Sequence, residues 1–241
     1  LGTVAAFVLT ASTGSYWIAL VLVPVIGLIV GLIIERLIIR PTIGQASLTI
    51  VTTFGLSMML PEDFRATIIA QPRRMSAPIE GTVPIFGLDY DIYRIFAAGF
   101  AVLFLAAFFL FLTRTKLGTW IRAVRHDPET ATALGIPVAR IAAITFGLGT
   151  AMALLGGAIA APITTVEFRT GVDILPFCFM AVIIGGLGNL QGTVAAAILL
   201  AVLEGLVTSV ADPTIARILS LGFMSVVLLV RPHGLFSGAT K

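Results

Sequence analysis

Ile95–Leu112 is an 18-residue run without one charged side chain. As a helix it would be roughly 27 Å long, close to the hydrocarbon thickness of a bilayer. No water reaches that depth, so its peptide groups must bond within the segment, and a helix does this. Trp17–Ile34 repeats the pattern, with Trp17 at one interface and Glu35, Arg36 and Arg40 at the other. Across the 241 residues, 58% are hydrophobic and only 11% charged, against about 25% charged in a soluble domain. The fold class expected is all-α, a polytopic transmembrane helical bundle with short or broken membrane helices, forming a single transmembrane domain over residues 1–241.

Several apolar stretches are too short or too interrupted to be ordinary spans. Leu1–Ala11 fits the tail of a cut helix, with Ser12–Ser15 as a turn; the chain is read as truncated inside a membrane segment. Pro41–Gln45 reads as a turn, and Ala46–Leu60 as a short or broken helix. Pro61–Tyr93 is the longest polar segment, and within it Val83–Tyr90 reads as a small hairpin or a stretch lying flat on the membrane. Ile141–Ala161 spans, and Pro162–Leu175 is a loop. Pro176–Ile184 enters the membrane and breaks at Gly185–Asn189; Thr193–Val210 leaves it and Ile215–Val230 returns. This threading places nine of the 15 Lys and Arg on the side of Arg114–Arg140, which is therefore the cytoplasmic side.

Arg114–Arg140 is the polar segment with the most helix-forming content. Five basic residues stand there against Asp127 and Glu129. Asp127 suits a helix N-cap, Pro128 the first helical position, and Glu129 the positive end of the dipole. Gly135 suits a left-handed stop, and Pro137 prevents a restart. Trp120, Ile121, Val124, Leu134 and Ile136 are apolar groups on a loop that should face water. Such a face calls for a partner; without one, the segment is a solvated loop holding a helical turn.

Candidate pathway groups are few. Gly185–Gly192 holds four glycines in eight residues, Gly185, Gly186, Gly188 and Gly192, with Asn189 among them, and does not support a continuous helix. It is either a break that lines a cavity or a plain turn between two spans. Glu204 is the one acid placed within a span, as a proton site, a substrate contact or a structural hydrogen-bonding group, the last being favoured. Thr53 and Ser57, with Thr52, are possible pathway hydroxyls. Gly147, Gly149, Gly156 and Gly157 read as close-packing positions. The histidines, His126 and His233, lack ligand partners at metal spacing, so no metal or other cofactor is expected. No phosphate-binding loop and no paired nucleophile and base are present, so an enzyme is not expected.

The block Thr115–Ile136, Phe177–Thr193, the terminal Arg231–Phe236 and Glu35–Pro41 together resemble the permeases of branched-chain amino acid ABC transporters, the smaller of the paired subunits most of all. The resemblance covers nearly the whole chain and is poorest over Leu60–Tyr93; members of that family begin with another span and an N-F-A-H-G-like stretch ahead of the part matched by Leu1–Phe7. It implies a multi-pass protein of the inner membrane with three kinds of partner besides membrane lipid, and no nucleic acid. These are a second permease subunit, cytoplasmic ABC ATPase subunits that hydrolyse the ATP, and a periplasmic or extracellular substrate-binding protein. It implies that residues 113–140 are the coupling loop, with Trp120, Arg122, Asp127, Pro128, Glu129, Ala131, Leu134, Gly135 and Ile136 its candidate residues. Substrates would be branched-chain amino acids, urea, short amides or related small solutes. An ion-coupled secondary transporter using Glu204 is the alternative.

Overall fold

The computed structural model describes residues 2–42, 51–59, 81–85, 88–164, 170–186 and 188–208, with positions 48, 75, 78, 79 and 222 between and beyond them. The chain divides into two compact units, Leu1–Phe168 and Arg169–Lys241. In the first, α1 (Gly2–Thr13) and α2 (Tyr16–Ile34) are followed by a π turn, Glu35–Ile39, and a 3-10 turn, Arg40–Thr42. Helical residues 51–59 form α3. A two-stranded antiparallel hairpin comes next, β1 (Thr82–Ile85) against β2 (Leu88–Asp91), pairing Val83 with Tyr90 and Pro84 with Asp89. The unit continues with α4 (Ile92–Arg114), α5 (Lys116–His126), α6 (Pro128–Ala133) and α7 (Val138–Ala160). The second unit holds α8 (Thr170–Gly185) and α9 (Leu190–Thr208).

Among the described residues, four helices are long and apolar enough to cross a bilayer: Tyr16–Ile39, Ile92–Arg114, Val138–Ala160 and Leu190–Thr208. They leave large apolar side chains on the outside, such as Val102 and Leu103 of α4, both 69% exposed. In hydrocarbon that exposure costs nothing, so lipid replaces the core that a soluble fold would need.

Small residues decide the central contact. Gly27 and Gly31 of α2 meet Ala151 and Gly147 of α7, backbone against backbone. Gly2 of α1 meets Gly157 and the Leu154 carbonyl further along α7. Of the glycines expected to pack, Gly147 and Gly157 do so; among the described residues a Cβ on Gly149 or Gly156 would meet nothing within 4 Å. The spacing alone could not separate these two sides, because all four lie on one apolar helix.

The opposite end of α7 is closed by two tyrosines. Pro162 has no N–H, so the Ala158 carbonyl loses its helical donor. The N–H of Ile163 bonds to the Ala160 carbonyl, which also leaves Ile159 open. The Tyr93 hydroxyl donates to the Ile159 carbonyl at 2.8 Å, and Tyr16 Oη lies 2.7 Å from Tyr93 Oη and 3.2 Å from the Ala158 carbonyl oxygen. Two chain-distant helices thereby satisfy the end of a third. Tyr93→Phe keeps the ring and strands the Ile159 carbonyl, and is expected to cost about 1–3 kcal/mol. Unfolding of the purified protein in a mixed-micelle denaturant titration measures this; a stability equal to wild type would refute the role.

Several boundaries differ from the sequence reading. The expected turn at Ser12–Ser15 is shorter, because α1 runs to Thr13, whose hydroxyl bonds to the Leu9 carbonyl, and the chain turns at Gly14 with φ 68°. Residues assigned to the turn at Pro41 continue α2 through Thr42 by its π and 3-10 turns. Glu35, placed at the polar end of the span, is 3% exposed, and its Oε1 has no hydrogen-bond partner among the described residues. The loop drawn to Leu175 ends earlier, since α8 begins at Thr170 and contains Pro176. A proline removes one intrahelical bond, a loss that membrane helices tolerate. Val83–Tyr90 falls in the hairpin. Apart from Gly222, Ile215–Val230 and the terminal Arg231–Phe236 lie outside the described residues.

Candidate functional site

The polar segment between α4 and α7 folds as two helices with each boundary set locally. Thr115 ends α4 and starts α5: its hydroxyl donates to the Phe111 carbonyl at 2.7 Å and accepts from the Gly118 N–H at 3.1 Å. Gly118 is buried, and a Cβ there would lie 2.0 Å from the Leu112 carbonyl oxygen. The first turn of α5 therefore rests directly on the last turn of α4. Arg122 reaches back one helical face to donate to that same Leu112 carbonyl, and its other nitrogen donates to Thr119 Oγ1 at 3.3 Å. One of the α4 carbonyls that have no intrahelical donor is satisfied in this way.

The short helix α6 has both ends built as the sequence suggests. Asp127 Oδ1 accepts from the N–H groups of Glu129 and Thr130 at 3.0 and 3.1 Å, its Oδ2 accepts from the Thr130 hydroxyl, and Pro128 occupies the first turn. These bonds, the Thr130 hydroxyl first, hold the Asp127 carboxyl below its ordinary pKa. The folded value is depressed, so the cap is intact above the ordinary carboxylate pKa and is lost only as pH falls through the lower folded value. At the other end Gly135 has φ 81°. Its N–H bonds to the Thr132 carbonyl and that of Ile136 to the Ala131 carbonyl, both at 3.0 Å, the paired closure of a left-handed stop.

This construction sorts the apolar residues of the segment. Ala131 is 2% exposed and Ile136 half-buried, so both are spent inside. Leu134 is 76% exposed at the C-cap of α6, and Trp120 is 38% exposed on α5. Glu129 is exposed in the first turn of α6. Ile121 and Val124 face α7 across a groove.

In the second unit, α8 and α9 form a hairpin through the glycine run. Gly185 ends α8, and Gly186 and Gly188 have φ 91° and 85°. Asn189 opens α9: its Oδ1 accepts from the Gly192 N–H at 3.1 Å and its carbonyl from the Thr193 N–H at 2.9 Å. A Cβ on Gly185 would lie 2.4 Å from Thr193 Cα, so the two helices touch through their backbones here.

The family model described as branched-chain amino acid transport system / permease component matches residues 1–230. The chain belongs to this family. The permease is 28% identical over 219 residues to the high-affinity branched-chain amino acid transport system permease protein BraD of Pseudomonas aeruginosa, covering 85% of this chain and 69% of BraD. It is 26% identical over 213 residues to LivH of Escherichia coli K12, covering 84% and 68% of the two chains. The probable permease protein LivH of Methanocaldococcus jannaschii is 26% identical over 229 residues, covering 88% and 71%. No solved structure matches the chain. The permease is thus a multi-pass membrane protein, a transport component and not itself a catalyst.

Within α9, Glu204 stands apart along the helix from the glycine turn. Glu204 is half-buried on α9, 15 residues beyond Asn189, so roughly 22 Å of helix divide it from the glycine turn. Thr53 and Ser57 are exposed on α3, and the Ser57 hydroxyl donates to the Phe54 carbonyl at 2.7 Å. Thr115 and Gly118 of the permease were missed as organising residues. The available signal was a Thr at the polar boundary of a span with a Gly three residues later, the spacing of a hydroxyl cap.

Proposed function

We propose that the permease is one membrane subunit of an ATP-driven importer, moving branched-chain amino acids or related small polar solutes across the inner membrane. In this reading two permease subunits, as a homo- or heterodimer, enclose the pathway. A periplasmic or extracellular binding protein delivers the solute. Cytoplasmic ABC ATPase subunits supply the driving force, and α6, within the coupling loop 113–140, is the element they push. The whole chain acts as one permease domain. The glycine turn Gly185–Asn189 and the hydroxyls of Thr53 and Ser57 are the pathway groups proposed, with Glu204 a structural partner.

The observation that carries the coupling role is Leu134. A leucine 76% exposed, on a six-residue helix closed at both ends, has no use in water. Asp127, Pro128 and Glu129 fix the start of that helix and Gly135 its stop, while Ala131 and Ile136 seat it and Arg122 ties α5 to α4. Trp120 is the second exposed apolar group. The presentation is rigid, which is what a transmitted push requires.

Gly135→Val forces a β-branched residue into a left-handed conformation, at a cost of roughly 1–2 kcal/mol, and displaces Leu134. Abundance in the membrane is expected to stay near wild type, while uptake and co-purification of the ATPase fall together. Normal uptake with normal ATPase retention would refute coupling through α6. Uptake driven by a proton gradient in vesicles without ATP would refute the importer reading as a whole.

A further inference from the structure

We infer that the groove between α5 and α7 is a binding site for an anionic phospholipid, an acyl chain lying in the groove with its phosphate at Arg125. The groove measures about 730 Å³. Ile121, Val124 and Arg125 of α5 form one wall, and α7 forms the other from Ile141 to Ala153. That stretch of α7 extends about 18 Å along a membrane span, more than half of a hydrocarbon core roughly 30 Å thick. A soluble protein does not reach that depth.

The lining selects among occupants. Two hydroxyls border the groove, but Thr145 donates to the Ile141 carbonyl at 2.8 Å and Thr150 to the Phe146 carbonyl at 2.9 Å. Both donate their one proton to their own helix, so the groove offers a polar solute no hydroxyl donor. Arg125 is its one charged lining residue. A guanidinium matches a phosphate in a two-pronged geometry, and Arg125 supplies one in an otherwise apolar lining. The segment Arg114–Arg140 carries five basic residues against two acidic ones. That surplus favours an anionic headgroup over a zwitterionic one, and it repels the same segment of a second copy.

The test uses Trp120, one turn before Val124 on α5, as a reporter. The permease has two tryptophans, so Trp17→Phe leaves Trp120 as its single emitter, and the same complex carrying Trp17→Phe with Trp120→Phe supplies the partners' emission to be subtracted. This protein, in its complex, is placed in phosphatidylcholine nanodiscs containing rising fractions of chain-brominated phosphatidylglycerol or chain-brominated phosphatidylcholine, and quenching is recorded. Phosphatidylglycerol is expected to half-quench at an about fivefold lower mole fraction, the advantage of one arginine near an anionic lipid. Arg125→Gln should abolish the difference and Arg125→Lys should keep most of it. Gly149→Phe fills the groove from a position where a Cβ meets nothing within 4 Å, and should lower quenching by both lipids. Equal quenching by the two lipids in the Arg125 protein would overturn the anionic site. Unchanged quenching in Gly149→Phe would overturn the groove as its place. Absence of quenching, with a cysteine at Phe146 cross-linking to the second permease, would assign the groove to a subunit interface instead.

Discussion

Gly31→Val should leave the permease unable to close α2 on α7. The added Cβ would lie 2.8 Å from Gly147 Cα and 2.8–2.9 Å from the Thr150 side chain. Neither a backbone atom nor a β-branched side chain can move aside, so the helices must separate. Overpacking costs typically 1–3 kcal/mol where side chains can adjust, and a backbone contact should exceed that range. The separation would also open the contacts of Gly27 with Ala151 and of Gly147 with Leu28 and Leu32 on the same interface. Most of the protein is expected to be lost from the membrane or to aggregate on extraction. Gly149→Ala is the control on the same helix, where a Cβ meets nothing, and should stay within about 0.5 kcal/mol of wild type. Equal recovery and equal denaturant resistance of Gly31→Val and Gly149→Ala would show that close approach does not hold this pair.

Gly118→Val should release α5 without disturbing the spans. Its Cβ would overlap the Leu112 carbonyl, at 2.0 Å from the oxygen and 2.5 Å from the carbon. The first turn of α5 must swing away, and it takes with it the Thr115 cap and the Arg122 bond to the same carbonyl. A cap and a charged hydrogen bond together contribute about 2–3 kcal/mol. Hydrogen exchange at the amides of α5 should therefore accelerate by roughly 30- to 150-fold, while exchange in α2 and α7 remains slow. Uptake should fall with it, since α6 is carried on α5. Protection of α5 equal to wild type would mean that the packing of Gly118 does not position this helix.

The spans and the caps were legible in the sequence because their causes are local. A run such as Ile95–Leu112 has one solution in hydrocarbon, and the structure extends it by only a few residues at each end, to Ile92–Arg114. Asp127, Pro128 and Gly135 act on backbone groups within five residues of themselves, so their order along the chain is enough to read them. The break at Gly185–Asn189 belongs with these, since the chain turns there through positive φ at Gly186 and Gly188.

What the chain order leaves open is which side of each helix meets a neighbour. Apolar residues surround the spans on every side, because lipid accepts them as readily as protein does, so periodicity marks no inner face. Only the tertiary structure separates Gly147 from Gly149, seats Glu35 against its neighbours, and sets Tyr16 and Tyr93 over carbonyls 142 and 66 residues away. The same holds for α5. The Thr115 cap that starts Lys116–His126 is local, but where that helix lies depends on Gly118 resting against the Leu112 carbonyl, a contact that exists only once α5 has folded back on α4.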